Sequence, residues 1–277
     1  MNTKTFLFQD LKLSYFDLGK PEKPAILFTH ANGYSAGCYR YYMQRLSEQY
    51  RVLGLDFSGH GNSQSSMNFR NWFYFRDQIL ALLAHEKLEN AIGVGHSLGG
   101  ATLLMAAFKQ KKLFKKLILL DPTTLNLVLV SLSKVFGNPL SKAASQRRQT
   151  FPNLEVVRKG YRRSPAFKKW NSDIFEDYLQ SCMRKAGNGE FELCCDPALE
   201  SKIFKVHSLT SQFQFGKVKT ESHIITPVNS EVCSAKSANK IQRGNPKSSY
   251  NELDEVSHFF PFELPELTLN KIHEALA

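Results

Sequence analysis

Short, almost wholly apolar runs recur through the first 120 positions, separated by longer helix-like segments. Ala25–Thr29 (AILFT), Val52–Asp56 (VLGLD), Ala91–Gly95 (AIGVG) and Leu117–Leu120 (LILL) have the pattern of strands buried on both faces of a parallel sheet. Between them, Cys38–Gln49, Phe75–His85 and Leu98–Lys109 read as helices. Strand–helix alternation of this kind predicts an α/β fold with a parallel sheet built from crossover units. Two earlier runs, Thr5–Phe8 and Leu11–Phe16, predict an antiparallel hairpin on the sheet edge.

From Pro122 to about His207 the rhythm changes, and helix-like segments replace strand-like runs. Asn171 or Ser172 caps a helix through Asp173, Phe175, Tyr178 and Met183, with Asn188 and Gly189 breaking it. Strand signals return at His223–Val228 and near Tyr250–Leu253. Leu267–Ala277 reads as a closing helix, with Pro265 placed where a helix start tolerates proline. The expected organisation is a core of residues 1–121 and 208–277 carrying a helical cap at 122–207. No internal repeat or low-complexity tract interrupts it.

Composition narrows the class. A chain of 277 residues with 42% hydrophobic and 22% charged residues can bury a core without a disulfide or metal staple. The five cysteines (Cys38, Cys182, Cys194, Cys195 and Cys233) are irregularly spaced with no C-x-x-C pair, which argues against a zinc site or redox dithiol. Reduced thiols in a cytoplasmic protein are expected. The opening segment MNTKTFLFQDLK lacks the long apolar stretch of a signal peptide. Ala91–Phe108, at 18 residues, approaches a membrane span, but it contains His96 and four glycines and is better read as strand, turn and helix.

The net charge of +11 is concentrated between Lys134 and Lys169, where ten basic residues accompany one acid, Glu155. The expectation is a solvated cap surface capable of weak association with an anionic membrane surface or an anionic substrate. No nucleic-acid-binding motif accompanies it. Nothing in the sequence calls for a metal or an organic cofactor.

Gly95-His96-Ser97-Leu98-Gly99 matches G-x-S-x-G, with a buried strand before it and a helix after it. A serine there occupies a tight turn that projects its hydroxyl above the sheet, and the glycines remove side chains that would clash across the turn. Ser97 is therefore the candidate nucleophile. Its hydroxyl needs a base, and His258, in SHFFPFELPE after the last strand signal, is placed to supply it. His30, His60, His85, His96, His207, His223 and His273 have less suitable settings. An orienting carboxylate should lie between the two in the chain, at a strand C-terminal end. Glu231, in TPVNSEVCS, leads; Asp121, in LILLDPT, follows, with Asp196 and Asp254 behind. Two N–H groups must receive the oxyanion: that of Leu98, and one from His30-Ala31-Asn32-Gly33-Tyr34, where Asn32 leads and Ala31 follows. Each such donor is worth about 3 kcal/mol to a transition state.

Together these segments resemble the α/β-hydrolase superfamily, in its cap-bearing, esterase- and lipase-like branch, over most of the chain. FTHANGY is similar to that family's oxyanion loop, usually H-G-x-P, with Ala31 and Gly33 departing from the pattern. LDFSGHGNS matches its D-x-x-G-H-G-x-S segment at Asp56, Gly59, His60, Gly61 and Ser63, and His60 there reads as structural. NSEVCS resembles the acid segment, with Glu231 in place of aspartate, and Ser257 replaces the glycine before the histidine. The resemblance implies hydrolysis of a small-molecule carboxylic ester through an acyl-enzyme. Serine at the elbow argues against the epoxide hydrolases and haloalkane dehalogenases of similar fold, which attack with aspartate. Apolar cap residues Leu125, Leu127, Val130, Phe136, Trp170, Phe175 and Tyr178, with Trp72, Phe73, Phe259 and Phe260, suggest a pocket for apolar acyl or alkyl groups. The same triad also serves thioester hydrolysis, acyl transfer, C–C hydrolysis or a lyase step, with thioesterase the nearest alternative. A non-catalytic ligand-binding member would have lost Ser97 or His258.

Overall fold

In a computed structural model, residues 2–124, 138–206 and 211–277 are described, the Gln212 side chain excepted. The apolar runs become the centre of an eight-stranded sheet ordered β1-β2-β4-β3-β5-β6-β10-β11. They are β3 (Ala25–Thr29), β4 (Arg51–Leu55), β5 (Ala91–His96) and β6 (Phe114–Leu120). β10 (Glu221–Pro227) and β11 (Ser249–Leu253) extend the sheet in parallel beyond β6. The predicted hairpin, β1 (Asn2–Phe8) and β2 (Leu11–Leu18), closes the other edge, with β2 antiparallel to β4.

Alternate residues of each buried strand feed two separate cores, the two-residue period that a doubly covered sheet demands. Leu27, Leu117 and Leu119 join Phe75, Ile79, Leu103 and Leu104 on one face, under α2 (Phe73–His85) and α3 (Leu98–Lys109). Ile26, Phe28, Ile118 and Leu120 join Tyr42, Met43 and Ile272 on the other, under α1 (Arg40–Leu46) and the closing helix Pro265–Leu276. The apolar stretch at 91–108 is divided among β5, a turn and α3, and no helix among the described residues is long and apolar enough to cross a membrane.

Between β6 and β10 the chain carries the helices Pro139–Ser145, Leu154–Arg163, Ser172–Cys182 and Pro197–Lys205. Asn171 caps the third, its Oδ1 accepting from the N–H groups of Asp173 (2.9 Å) and Ile174 (3.4 Å). That helix stops at Cys182 rather than running on to Asn188. The following residues form a small antiparallel sheet, β7 (Thr150–Phe151), β9 (Phe191–Leu193) and β8 (Met183–Lys185), which the sequence did not predict. Strands of two or three residues are too short for an alternation to show. Leu125, Leu127, Val130, Phe136 and His207 lie outside the described residues.

Three arginines of the basic run tie this segment together. Arg158 pairs with Glu155 and Glu176, both at 2.8 Å. Arg162 donates to the Trp170 carbonyl at 2.8 Å, with its guanidinium 4.1 Å from the Phe175 ring centre. Arg147 pairs with the buried Glu200 and donates to the Tyr178 hydroxyl at 3.0 Å. Lys142, Arg163, Lys168 and Lys169 are exposed. All five cysteines are free thiols.

Candidate active site

Ser97 joins β5 to α3 in a left-handed conformation, φ +54° and ψ −116°. A non-glycine residue held there stores strain of the order of 1–3 kcal/mol. Its surroundings enforce it. The Ser97 N–H donates to the Leu120 carbonyl, and its own carbonyl accepts from Ala101 and Thr123, each at 3.1 Å. The turn closes only because its neighbours lack side chains. A Cβ at Gly95 would lie 2.7 Å from the Gly100 nitrogen, and one at Gly99 would collide with the Thr29 carbonyl. The Ser97 hydroxyl, half-buried, lies 3.1 Å from the Thr123 hydroxyl.

His258 follows β11 in a loop that several side chains pin. The Ser257 hydroxyl donates to Glu263 at 2.8 Å and accepts from the Phe259 N–H at 3.0 Å, so the serine in place of glycine braces the loop. Tyr42 donates to the Pro261 carbonyl. The carboxylate facing the imidazole is Asp121, with Oδ2 2.7 Å from His258 Nδ1. This corrects the leading assignment of Glu231, which is exposed and makes no hydrogen bond or ion pair among the described residues. Asp196 instead caps the helix Pro197–Lys205, and among the described residues Asp254 forms no hydrogen bond or ion pair with His258.

The physical reason lies in the ends of two paired strands. β6 and β10 run parallel with Leu120 opposite Ile225, so Asp121 and the loop after β10 emerge side by side. Asp121, at φ +43°, turns back with its N–H on the Ile225 carbonyl (2.8 Å), and its side chain is fully buried. The β10 loop contributes a hydroxyl instead of an acid. Ser230 donates to Asp121 Oδ1 at 2.6 Å while accepting from the N–H groups of Val232 (3.2 Å) and Cys233 (2.8 Å). Glu231, one residue on, is turned to solvent. Ser230 and Thr123 carried no sequence signal beyond their closeness to the two acid candidates.

Because a carboxylate only accepts, Asp121 holds the proton on His258 Nδ1 and leaves Nε2 as the acceptor. Ser97 and His258 are not hydrogen-bonded to each other in this structure; catalytic contacts of this kind commonly tighten only around substrate.

Three N–H groups of the candidate oxyanion loop are already committed. The Ala31 N–H donates to the Tyr39 hydroxyl (3.3 Å), Gly33 to His60 Nε2 (3.1 Å) and Tyr34 to the Ala31 carbonyl (3.3 Å). Among the described residues this leaves the Asn32 N–H without an acceptor. Leu98, first residue of α3, has no carbonyl within its helix to donate to. The other side chains of the motif build this loop. His30 accepts from the Phe57 N–H (2.9 Å) and contacts the Ala31 carbonyl (2.8 Å). Asp56 accepts from the N–H groups of Ala36 (2.9 Å) and Asn62 (3.1 Å). Burial keeps both histidines neutral, His30 well below its usual value and His60 down to about 4, and pushes the Asp56 carboxyl up to about 7.

Tyr34 carries the loop into an aromatic layer, its ring 5.7 Å from Trp170, 5.9 Å from Tyr178 and 6.0 Å from Phe259. Phe175 and Phe260 are wholly buried in the core on that side. Trp72 instead donates to the Ile203 carbonyl at 2.8 Å and belongs to the opposite core. No cluster of three or more metal-ligating side chains occurs among the described residues.

Residues 24–198 match a family model described as alpha/beta hydrolase fold. Hydrolase YugF of Bacillus subtilis, itself uncharacterized, is 27% identical over 118 residues, 42% of this chain and 43% of that protein. A 3-oxoadipate enol-lactonase of Acinetobacter baylyi is 28% identical over 98 residues, 35% of this chain and 37% of the enzyme. The chain thus aligns with less than half the length of these curated relatives. The crystal structure of E-2-(acetamidomethylene)succinate hydrolase superposes with a TM-score of 0.83 at 20% identity, covering 99% of this chain and 98% of that one, a likeness of fold.

Proposed function

The chain belongs to the alpha/beta hydrolase family, and on that premise we propose that it hydrolyses carboxylic esters of apolar acyl or alkyl groups through an acyl-enzyme on Ser97. The observation that carries this reading is the 2.7 Å contact of buried Asp121 with His258, beside a serine held in a strained elbow. His258 Nε2 takes the Ser97 proton as Oγ attacks the carbonyl, and Asp121 stabilises the imidazolium. The N–H groups of Asn32 and Leu98 receive the oxyanion. Nε2 then returns the proton to the leaving alcohol and activates the water that releases the acid. The partly exposed rings of Tyr34 and Phe259, 6.0 Å apart beside His258, support an apolar substrate, and one of the relatives is named an enol-lactonase.

Hydrolysis of p-nitrophenyl esters with acyl chains of two to twelve carbons, wild type beside Ser97→Ala, tests the reading. Activity abolished in the variant is expected, with the chain-length optimum sizing the acyl site. A folded wild type inert toward every ester would overturn the ester assignment. Fluorophosphonate labelling of Ser97 in that inert protein would redirect it to thioesters.

A further inference from the structure

We propose that His96, the residue before the nucleophile, is a positioning residue that fixes the backbone of the base loop and ties it, through Tyr39, to the oxyanion loop. The inference rests on the Ser97–His258 reading above. It is carried by three consecutive hydrogen bonds that join separate parts of the site. His96 Nε2 lies 2.9 Å from the His258 carbonyl, which can only accept, so Nε2 bears the proton. Nδ1 is then an acceptor, and the Tyr39 hydroxyl, 2.8 Å away, must donate to it. With its proton so committed, the Tyr39 oxygen accepts from the Ala31 N–H at 3.3 Å. Every donor finds an acceptor, and each choice of proton follows from the one before.

The chain is sealed. His96 is wholly inaccessible and Tyr39 nearly so. The Phe262 ring packs on both, with centroids 5.5 Å from His96 and 5.1 Å from Tyr39. Burial and the nearby His258 hold the His96 imidazole neutral, its pKa well below the usual value. That neutrality matters because the two imidazoles pack against each other, tilted 40° with centroids 4.8 Å apart. A charged neighbour would oppose the imidazolium that His258 must become. His96 also shares a peptide bond with Ser97, so one side chain sets the distance between nucleophile and base loop.

The consequence for Ala31 is equally direct. Its N–H, satisfied by Tyr39, is withheld from the oxyanion, and its position sets where the next N–H, that of Asn32, points. The network therefore aligns both halves of the reaction without a hydrogen bond to any reacting atom.

The test compares His96→Phe, His96→Gln and Tyr39→Phe with wild type. It measures ester kcat and KM, the second-order rate of fluorophosphonate labelling at Ser97, and thermal midpoints. His96→Phe keeps a ring against His258 but loses both hydrogen bonds. It should lower kcat and the labelling rate roughly 10- to 100-fold, the scale of a sub-ångström to ångström misplacement, with KM within about twofold. His96→Gln places an amide N–H near the former Nε2 and should recover most of that loss. Tyr39→Phe, which retains the packing, should slow labelling roughly fivefold, and it decides the matter if His96→Phe does not fold. Wild-type labelling and kcat in folded His96→Phe, or in Tyr39→Phe when His96→Phe does not fold, would overturn the proposal, as would a glutamine variant no better than phenylalanine. Absence of labelling in the wild type would instead show that the Ser97–His258 reading itself is wrong, and the positioning role would fall with it.

Discussion

Replacing Asp121 by asparagine isolates the proposed acid of the site. The carboxylate is fully buried, with Oδ2 on His258 Nδ1 at 2.7 Å and Oδ1 receiving the Ser230 hydroxyl at 2.6 Å. In the variant the amide oxygen keeps the Ser230 bond, so the NH2 group faces Nδ1. Two N–H groups cannot share that contact. The imidazole responds by moving its proton to Nε2, the atom that accepts from Ser97 in the proposed mechanism. The negative charge opposite the developing imidazolium disappears in the same step. An acid-to-amide change of this kind costs about 10⁴-fold in kcat, or about 5 kcal/mol of transition-state stabilisation. Asp121→Asn should therefore lower kcat by roughly 10³- to 10⁴-fold with KM changed only a few-fold, whereas Glu231→Gln should stay within about twofold of wild type. Steady-state kinetics on the best p-nitrophenyl ester, with thermal midpoints to confirm folding, measure both. An Asp121→Asn enzyme within tenfold of wild type, or a Glu231→Gln enzyme equally impaired, would refute the reasoning.

Removing the Ser230 hydroxyl in Ser230→Ala deprives Asp121 of one charge-assisted hydrogen bond and should cost roughly three- to tenfold in kcat, read in the same assay. Gly99→Ala drives a methyl into the Thr29 carbonyl and should destabilise the fold by about 2–4 kcal/mol, checked by urea unfolding. The buried histidines make stability pH-dependent. His60, at about 4 when folded against about 6.5 unfolded, binds fewer protons in the native state. Its contribution is thus present above about pH 6.5 and is lost as pH falls toward 4, by about 3 kcal/mol in all. His30 and His96 shift in the same direction, while Asp56, raised to about 7, favours the folded state as pH falls and offsets part of the loss. Urea midpoints should fall between pH 7 and pH 5, and His60→Gln, whose amide oxygen can still accept from Gly33, should fall less steeply; equal slopes would contradict the assignment.

The elbow was legible in the sequence because everything that makes it is local. A buried strand, a serine flanked by glycines and a helix lie within about twenty consecutive residues, and the helix Leu98–Lys109 begins and ends where its pattern predicts. The sheet was legible for a related reason, since strands covered on both faces must be apolar throughout. His258 could be placed by its position after the last strand. The acid could not. Asp121 and Glu231 both follow a strand and both lie between serine and histidine, so order and residue type leave them equivalent. What separates them is which loop turns back over β6 and β10, a matter of register between strands more than a hundred residues apart in the chain. The same holds for Asn32, singled out because Tyr39 and His60 take the neighbouring N–H groups, and for His96, whose partners come from two other segments. Periodicity and spacing determine which of the longer elements form and where the elbow serine projects. A hydrogen bond between distant segments is decided by distances of a few tenths of an ångström, which only the packed structure sets.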